Sequence, residues 1–275
     1  MLALGAKLAY GDGMAILITG ASSGIGRAFA TSFAARGADL VLVARRAERL
    51  ESLATDLRAQ HGVTVHTVPF DLSVPTAGAD LRAELDGRGV RVTGLINNAG
   101  FGTFGPFTED DPGHLARLIA VDVSAPVQLT SAFLPQMIAA GDGFVINVAS
   151  MAGYAPSPRM AVYGGAKAFI LSFTEALWAE VRGTGVIVFV VSPGATSTEF
   201  NEVVGTEDAT AGARKRTPED VVTTALAHLD RRAPAPSVID GRGNRLGAVA
   251  FRLLSRRTVA ALMGRLTDPA RRAPA

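Results

Sequence analysis

A glycine-rich turn near the beginning of the chain has the residue types and spacing of a phosphate-binding loop. Residues 15–19 form an apolar run typical of a buried strand, and TGASSGIG at 19–26 leads from it into a helical pattern. Glycines leave the backbone open to an anion, and the N–H groups at the helix N-terminus would face that anion. A turn that needs only flexibility does not explain three glycines between hydroxyl-bearing residues. The order of strand, turn and helix therefore predicts a site for a dinucleotide pyrophosphate.

The residue after the second apolar run, at 39–44, indicates which dinucleotide is bound. An acidic side chain at that strand end would accept hydrogen bonds from an adenosine 2′-hydroxyl and would repel a 2′-phosphate. This chain has Arg45 there, a planar donor that suits a phosphate, and Ser22 or Ser23 would add a hydroxyl donor. NADP(H) is therefore the expected cofactor, with NAD(H) as the second candidate. The alternative is that Arg45 and Arg46 are solvated residues at a helix start.

Composition excludes several other chemistries. The chain has no cysteine, which excludes thiolate catalysis, disulfides and cysteine-ligated metal centres. Its four histidines are scattered without the spacing of metal ligands, and we expect no metal site. A net charge of +2 gives no strong field that would attract nucleic acid, so no nucleic-acid partner is expected.

Four further motifs follow; three lie at the ends of later apolar runs, and one lies in a helical stretch. They are NNAG at 97–100, Ser150, the sequence YGGAK at 163–167, and Pro193-Gly194 followed by Thr198. Ser150 precedes Tyr163 by 13 residues. Together with TGASSGIG, these motifs resemble the short-chain dehydrogenase/reductase family over about residues 14–198. The resemblance implies an NADP(H)-preferring oxidoreductase that interconverts a carbonyl and a secondary alcohol.

The resemblance also implies roles for the matched residues. Tyr163 would be the general acid/base, Ser150 would hold the substrate oxygen, and Lys167 would bind the nicotinamide ribose and lower the Tyr163 pKa. Tyr163 and Lys167 are four residues apart, so one helix places them on the same face. An ammonium there favours a phenolate, and the ordinary pKa of a tyrosine is about 10. The residues expected around the cofactor are Gly20, Ser22, Ser23, Gly24, Ile25, Gly26, Arg45, Asp71, Leu72, Asn98, Ala99, Gly100, Tyr163, Lys167, Pro193, Gly194, Thr196 and Thr198.

One catalytic position departs from the family pattern. The family has an Asn in the long central helix, where it supports a water that relays protons to the lysine, and this chain has Asp122. An Asp keeps the acceptor atoms, loses the amide donor and, when ionised, adds a charge near Lys167. We expect retained activity with a shifted pH profile. The alternative is a catalytically impaired dinucleotide-binding protein with a regulatory or scaffold role.

Alternating elements must position these residues. Further apolar runs at 63–68, 92–97, 144–150 and 186–192 predict strands, with amphipathic helical stretches between them. The helical stretches cover 25–36, 48–60, 76–86, a long region after Pro112, about 161–182 and a region after Thr217. Strands that are apolar at every position predict a parallel sheet covered by helices on both faces. The expected fold is a single-domain, Rossmann-like, doubly wound α/β sheet.

The boundaries expected for this chain are a loose extension at 1–13, a catalytic domain at 14–240 and a basic tail at 241–275. Residues 194–216 lack periodicity after a strand end and are expected to be a substrate flap. The longest apolar run, at 186–191, is far shorter than the ~20 residues of a membrane span. We therefore expect a cytoplasmic protein, and the resemblance implies a homodimer or homotetramer.

The substrate is expected to be a small, rather apolar carbonyl or alcohol. Residues 101–108, 151–160 and 195–216 would form the walls of its pocket. They contain apolar side chains that could equally belong to the core, namely Phe101, Phe104, Phe107, Met151 and Phe200.

The C-terminal tail has a composition of its own. Residues 211–275 carry 13 basic and 5 acidic side chains, and residues 246–266 have apolar residues at helical spacing with arginines between them. Ser255 would end one helix and cap the next. The apolar face either packs on the domain or on a partner subunit, or lies on an anionic membrane surface, where the protein would be peripheral.

Overall fold

Seven parallel strands form the sheet that the apolar runs predict. The computed structural model describes residues 14–206 and 214–268, so the predicted extension at 1–13 lies outside the described residues. The strand order is β3-β2-β1-β4-β5-β6-β7, and all neighbouring pairs are parallel. The strands are β1 (Met14–Thr19), β2 (Asp39–Ala44), β3 (Val65–Pro69), β4 (Arg91–Asn97), β5 (Phe144–Val148), β6 (Ile187–Ser192) and β7 (Ser237–Ile239). The order reverses beside β1, which confirms the doubly wound, Rossmann-like α/β prediction.

Helices cover both faces of this sheet. They are α1 (Gly24–Ala34), α2 (Ala47–His61), α3 (Ala77–Gly87), α4 (Pro112–Ile119), α5 (Ala125–Ala140), α6 (Ala161–Glu180), α7 (Phe200–Val204), α8 (Pro218–Leu229), α9 (Arg242–Leu253) and α10 (Arg256–Leu266). α1, α2 and α8 pack on one face, and α3 and α5 pack on the other. In β1, Ile16 and Ile18 face the first layer and Leu17 faces the second. A strand buried on both sides must be apolar at every position, which explains the continuous runs.

The central helical run changes its winding around Asp122. α4 passes through a π-helical turn at Ala120–Ser124 directly into α5. Asp111 caps the start of the run by accepting a 2.6 Å hydrogen bond from the His114 amide. Pro126 has no N–H to donate to the carbonyl of Asp122 four residues earlier, and the wider π turn accommodates this loss. By length and composition Pro112–Ala140 would also suit a membrane span, but α5 is a core helix packed on α3 and β4.

Short elements and segment ends differ from the sequence prediction. β5 ends at Val148, so Ser150 lies beyond the strand. β7 and α7 were not predicted, because three and five residues are too few to give a periodic signal. The basic tail forms α9 and α10, and Ser255 caps α10 by accepting a 3.1 Å hydrogen bond from the Thr258 amide, as predicted. Residues 207–213 and 269–275 lie outside the described residues, and the domain boundaries stay predictions.

The amino ends of the strands are approached through short, glycine-containing turns. Gly62, whose φ is 68°, is the C-cap of α2, and Gly141, whose φ is 67°, is the C-cap of α5. This left-handed conformation favours glycine, and it reverses the chain within three residues of the next strand. The loops at this edge are therefore compact, while the long loops lie at the opposite edge.

Candidate active site

A cleft of about 720 Å³ opens at the carboxyl ends of the strands, where sheets of this kind bind ligands. The predicted site residues line this cleft, except Gly26 and Asp122, which lie behind its wall. The lining also contains residues that no motif indicates, among them Arg46, His114, Arg117, Glu199 and Asn244.

The glycine-rich turn forms a cradle at one end of the cleft. Gly20 and Gly24 have φ values of 66° and 52°, in the left-handed region that favours glycine. A Cβ on Gly26 would overlap the carbonyl oxygen of Gly20, so the turn closes tightly onto the start of α1. Ser23 is the N-cap of α1, and its hydroxyl accepts from Arg46 instead of capping the helix. A pyrophosphate fits this cradle, because the first N–H groups of α1 are left for an anion.

Arg46, rather than Arg45, lies next to the serines of the turn. The Arg46 Nη2 atom is 3.1 Å from the Ser22 Oγ and 3.2 Å from the Ser23 Oγ. Arg45 lines the cleft on the side of Asp71. The pKa of Asp71 is lowered, first by a hydrogen bond from the Ser73 amide and further by the charge of Arg45. The two neighbouring arginines therefore face different parts of the cleft.

Glu199 connects the flap to the start of α2. Its Oε2 atom is 2.8 Å from the Arg46 Nη2 atom, and its Oε1 atom pairs with Arg49. Slight burial acts to raise the pKa of Glu199, but the hydrogen bonds from the two arginines outweigh it and hold the pKa below its usual range. An internal carboxylate thus occupies the arginine fork beside the phosphate cradle.

Tyr163, Lys167 and Ser150 meet at the other end of the cleft. Tyr163 and Lys167 lie one turn apart on α6, and the Lys167 Nζ is 5.5 Å from the centre of the Tyr163 ring. Lys167 donates a 3.3 Å hydrogen bond to the carbonyl of Val148 at the end of β5. Ser150 follows two residues later, lines the same cleft and acts to lower the pKa of Tyr163. The three side chains that the motifs matched therefore share one corner of the cleft.

Asp122 forms a buried ion pair with Lys167. Its Oδ2 atom is 3.0 Å from the Lys167 Nζ, and its Oδ1 atom accepts a 3.0 Å hydrogen bond from the Phe101 amide. Asp122 is fully buried and does not reach the cleft. The carboxylate therefore acts on the reacting groups only through Lys167 and through its charge.

The three buried titratable groups influence one another. Burial raises the pKa of Asp122, and the Lys167 ammonium opposes that rise. Burial acts to lower the pKa of Lys167, but Asp122 and Tyr163 raise it above its usual value. Burial raises the pKa of Tyr163; Lys167 lowers it and Asp122 raises it further. The expected lowering by Lys167 is thus present as one contribution, but the net pKa of Tyr163 in the protein alone is raised.

Apolar side chains surround the reactive corner. Phe101, Met151 and Phe200 line the cleft, and the Phe200 ring lies 5.2 Å from the Tyr163 ring. Phe104 packs in the small core cluster beneath them, whereas Phe107 is 62% exposed and is not part of the wall. Further wall residues come from the C-terminal helices, Phe251 from α9 and Met263 from α10. The expected apolar walls are present, with a contribution from the tail that the sequence did not indicate.

The segment after β6 is fixed at both ends. Thr196 donates a 3.1 Å hydrogen bond to the Gly194 carbonyl, and the backbone of Ala195 and Ser197 pairs with Arg216. The Arg216 guanidinium is held in turn by the buried carboxylate of Asp240 at 2.6 Å. The predicted flap, 194–216, therefore leaves and rejoins the domain at one anchored point.

Comparisons with known proteins agree with this geometry. The family model for short chain dehydrogenases matches residues 14–209. Sulfoacetaldehyde reductase 2 of Chromohalobacter salexigens is 40% identical over 217 residues, which cover 78% of this chain and 85% of that protein.

Two solved structures give the same fold with a cofactor bound. A short-chain dehydrogenase from Sphingobium yanoikuyae, in complex with NADPH, is 35% identical, with a TM-score of 0.78 over 95% of this chain and 98% of that chain. A short chain dehydrogenase/reductase from Burkholderia phymatum, in complex with NAD, is 27% identical, with a TM-score of 0.76 over 86% of this chain and 92% of that chain.

Proposed function

Because this chain belongs to the short-chain dehydrogenase/reductase family, whose members are oxidoreductases that use nicotinamide dinucleotides, we propose that Tyr163, Lys167 and Ser150 catalyse carbonyl–alcohol interconversion in it. The observation that carries the proposal is their meeting in one corner of a cleft whose other end is the glycine cradle. The glycine cradle would hold the pyrophosphate of a dinucleotide, and the corner with the three side chains would hold the reacting carbonyl or alcohol.

Each side chain has a distinct task in the proposed reaction. When bound, the dinucleotide supplies a hydride to the carbonyl carbon or accepts one from the alcohol carbon. Ser150 donates a hydrogen bond to the substrate oxygen, and the Tyr163 hydroxyl gives its proton to that oxygen in reduction or takes it back in oxidation. Lys167 stabilises the phenolate that results. A tyrosine keeps its proton near neutral pH and burial raises the Tyr163 pKa further, so the hydroxyl holds the proton that reduction consumes.

The first prediction tests this proposal directly. Consumption of NADPH and of NADH is followed at 340 nm with apolar ketones, aldehydes and β-keto thioesters. Sulfoacetaldehyde is included because the relative from Chromohalobacter salexigens is a sulfoacetaldehyde reductase. We expect turnover with an apolar carbonyl, and a loss of kcat of at least about a hundredfold in Tyr163→Phe, because the proton donor is removed.

Cofactor titration provides the control, since Tyr163→Phe should bind NADPH nearly as tightly as the wild type. An unchanged rate in Tyr163→Phe would contradict the role of Tyr163. Tight cofactor binding with no turnover on any carbonyl would instead support a regulatory or scaffold protein.

We propose NADP(H) as the preferred cofactor. Arg46, Ser22 and Ser23 form a cluster of donors at the end of β2, which suits a 2′-phosphate better than a free hydroxyl. Glu199 already occupies two arginines of this region as an internal anion. A 2′-phosphate would replace the Glu199 carboxylate beside Arg46 and would carry more negative charge than that carboxylate.

We further propose a cytoplasmic homo-oligomer assembled through α5 and α6. An apolar groove between these helices is lined by Leu134, Ile138, Phe173 and Leu177, and Phe169 is exposed beside it. The Phe169 and Phe173 rings stack at 5.8 Å, which makes a continuous apolar surface. A second copy presenting the same face would bury it.

A further inference from the structure

The helix α9 carries an apolar stripe on the side that faces away from the domain. Leu246, Val249 and Leu253 of α9 are 73%, 56% and 81% exposed. Their spacing of three and four residues places them on one face of the helix. Ala248, on the opposite face, is buried against the domain. A surface helix normally presents polar residues to solvent, so this stripe calls for a specific partner.

Helices α9 and α10 are strongly basic. Residues 241–267 contain six arginines and no acidic residue. Arg242, Arg245 and Arg252 lie on α9, and Arg256, Arg257 and Arg265 lie on α10. Within residues 14–206 and 214–268, none of the six forms an ion pair. The acidic residues that flank the segment, Asp240 and Asp268, are paired with Arg216 and Arg159. Among the described residues, the positive charge of these helices is therefore left without an acidic partner.

We propose that the outer face of α9 and α10, consisting of Leu246, Val249, Leu253, Leu254 and the six arginines, docks on an anionic lipid membrane. Exposed leucines among arginines match a surface with an apolar interior and anionic headgroups. A second copy of the chain fits less well, because a symmetric contact would bring two sets of arginines together. The surface is also separate from the groove between α5 and α6.

The docking surface and the substrate cavity share the same two helices. Phe251 of α9 and Met263 of α10 line the cleft. A membrane on the outer face would therefore lie one helix layer away from the cavity wall.

Vesicle co-sedimentation of the full chain tests the docking surface. Vesicles of phosphatidylcholine alone are compared with vesicles of phosphatidylcholine and phosphatidylglycerol at low and high salt. We expect sedimentation with the anionic vesicles that weakens with salt. Arg256→Gln/Arg257→Gln should lower the partition coefficient roughly tenfold or more, because each basic residue near an anionic surface contributes about fivefold. Leu246→Gln/Leu253→Gln should lower it as well.

The matched control is Arg231→Gln/Arg232→Gln, which removes two consecutive exposed arginines elsewhere on the molecule. It should bind vesicles like the wild type. Equal binding to neutral and anionic vesicles, no binding at all, or an equal loss in the control pair would overturn the proposal, as would retention of full binding by the leucine variant. A stable complex with an acidic protein and none with vesicles would also overturn it. Sedimentation requires no turnover, so failure of the proposed catalytic function would leave this result intact.

Discussion

The buried Asp122–Lys167 pair is the residue-scale feature that most distinguishes this site. A carboxylate 3.0 Å from the ammonium holds Lys167 charged despite its burial. It also offsets part of the field that Lys167 exerts on Tyr163. An asparagine would keep an acceptor for the Phe101 amide but would bring no charge. Asp122 therefore raises the pKa values of Lys167 and Tyr163 from behind the wall of the cleft.

Asp122→Asn should move the pH dependence to lower pH. The carboxylate raises the pKa values of Tyr163 and Lys167, so its removal lowers both. Oxidation, which needs the phenolate, should begin at lower pH, and reduction, which needs the phenol, should also be lost at lower pH. The maximal kcat should change less than about tenfold, since the hydrogen bond to Phe101 can persist.

The measurement is the pH profile of kcat/KM in both directions, with thermal unfolding as a check on folding. Asp122→Ala removes the charge and the acceptor together. A lower kcat/KM in Asp122→Ala than in Asp122→Asn would report how far Asp122 positions Lys167. A profile of Asp122→Asn that coincides with the wild type would contradict the electrostatic role.

Residue identity at the site was predictable to different degrees. Tyr163, Lys167 and Ser150 follow from the set of motifs that resembles the family, and the spacing of four residues explains why Tyr163 and Lys167 share a helix face. The assignment of Arg45 rests on its position alone, and because consecutive residues after a strand point in different directions, it is Arg46 that lies beside the serines. Glu199 was missed because its partners, Arg46 and Arg49, are about 150 residues away in sequence.

At the scale of elements, ion pairs of Glu199 with Arg46 and Arg49 link the flap to the start of α2. Arg46→Ala should weaken NADPH binding roughly tenfold or more, because a charged hydrogen-bond donor is lost, and should weaken NADH binding much less. Glu199→Gln is the matched change on the other partner. It should strengthen NADPH binding by up to about fivefold, since an exposed ion pair no longer competes with the phosphate.

Calorimetric titration of each variant with NADPH and NADH measures these effects without turnover. Equal losses for both cofactors in Arg46→Ala would argue against a 2′-phosphate site. Weaker NADPH binding in Glu199→Gln would indicate that Glu199 supports the cofactor instead of competing with it.

The long elements were predictable because burial on one or two faces imposes a repeating pattern. β1, β2 and α2 match that pattern closely. The π turn around Asp122 was not predicted, although Pro126, which lacks the N–H that a regular turn would use there, is plain in the sequence. β7 pairs with β6 over only three residues, and its position depends on a neighbouring strand that local sequence does not encode.

At the scale of the whole molecule, two apolar surfaces are assigned to different partners. Phe169→Glu should break the proposed oligomer, because a charge would be buried between α6 helices. Light scattering should then give the mass of a single chain. Leu253→Glu, on the outer face of α9 and α10, should leave the mass unchanged. A change of mass in Leu253→Glu and none in Phe169→Glu would show that the oligomer forms through the outer face of α9 and α10 instead of through α5 and α6.

The compact turns at the amino edge of the sheet also have a consequence for protein engineering. The cleft and the flap lie at the carboxyl edge, whereas turns such as those at Gly62 and Gly141 lie at the opposite edge. A reporter domain or an affinity handle inserted beside one of these turns would stand on the far side of the sheet from the chemistry. This enzyme should therefore accept fusion partners at its amino edge while its substrate range is redesigned independently at the other.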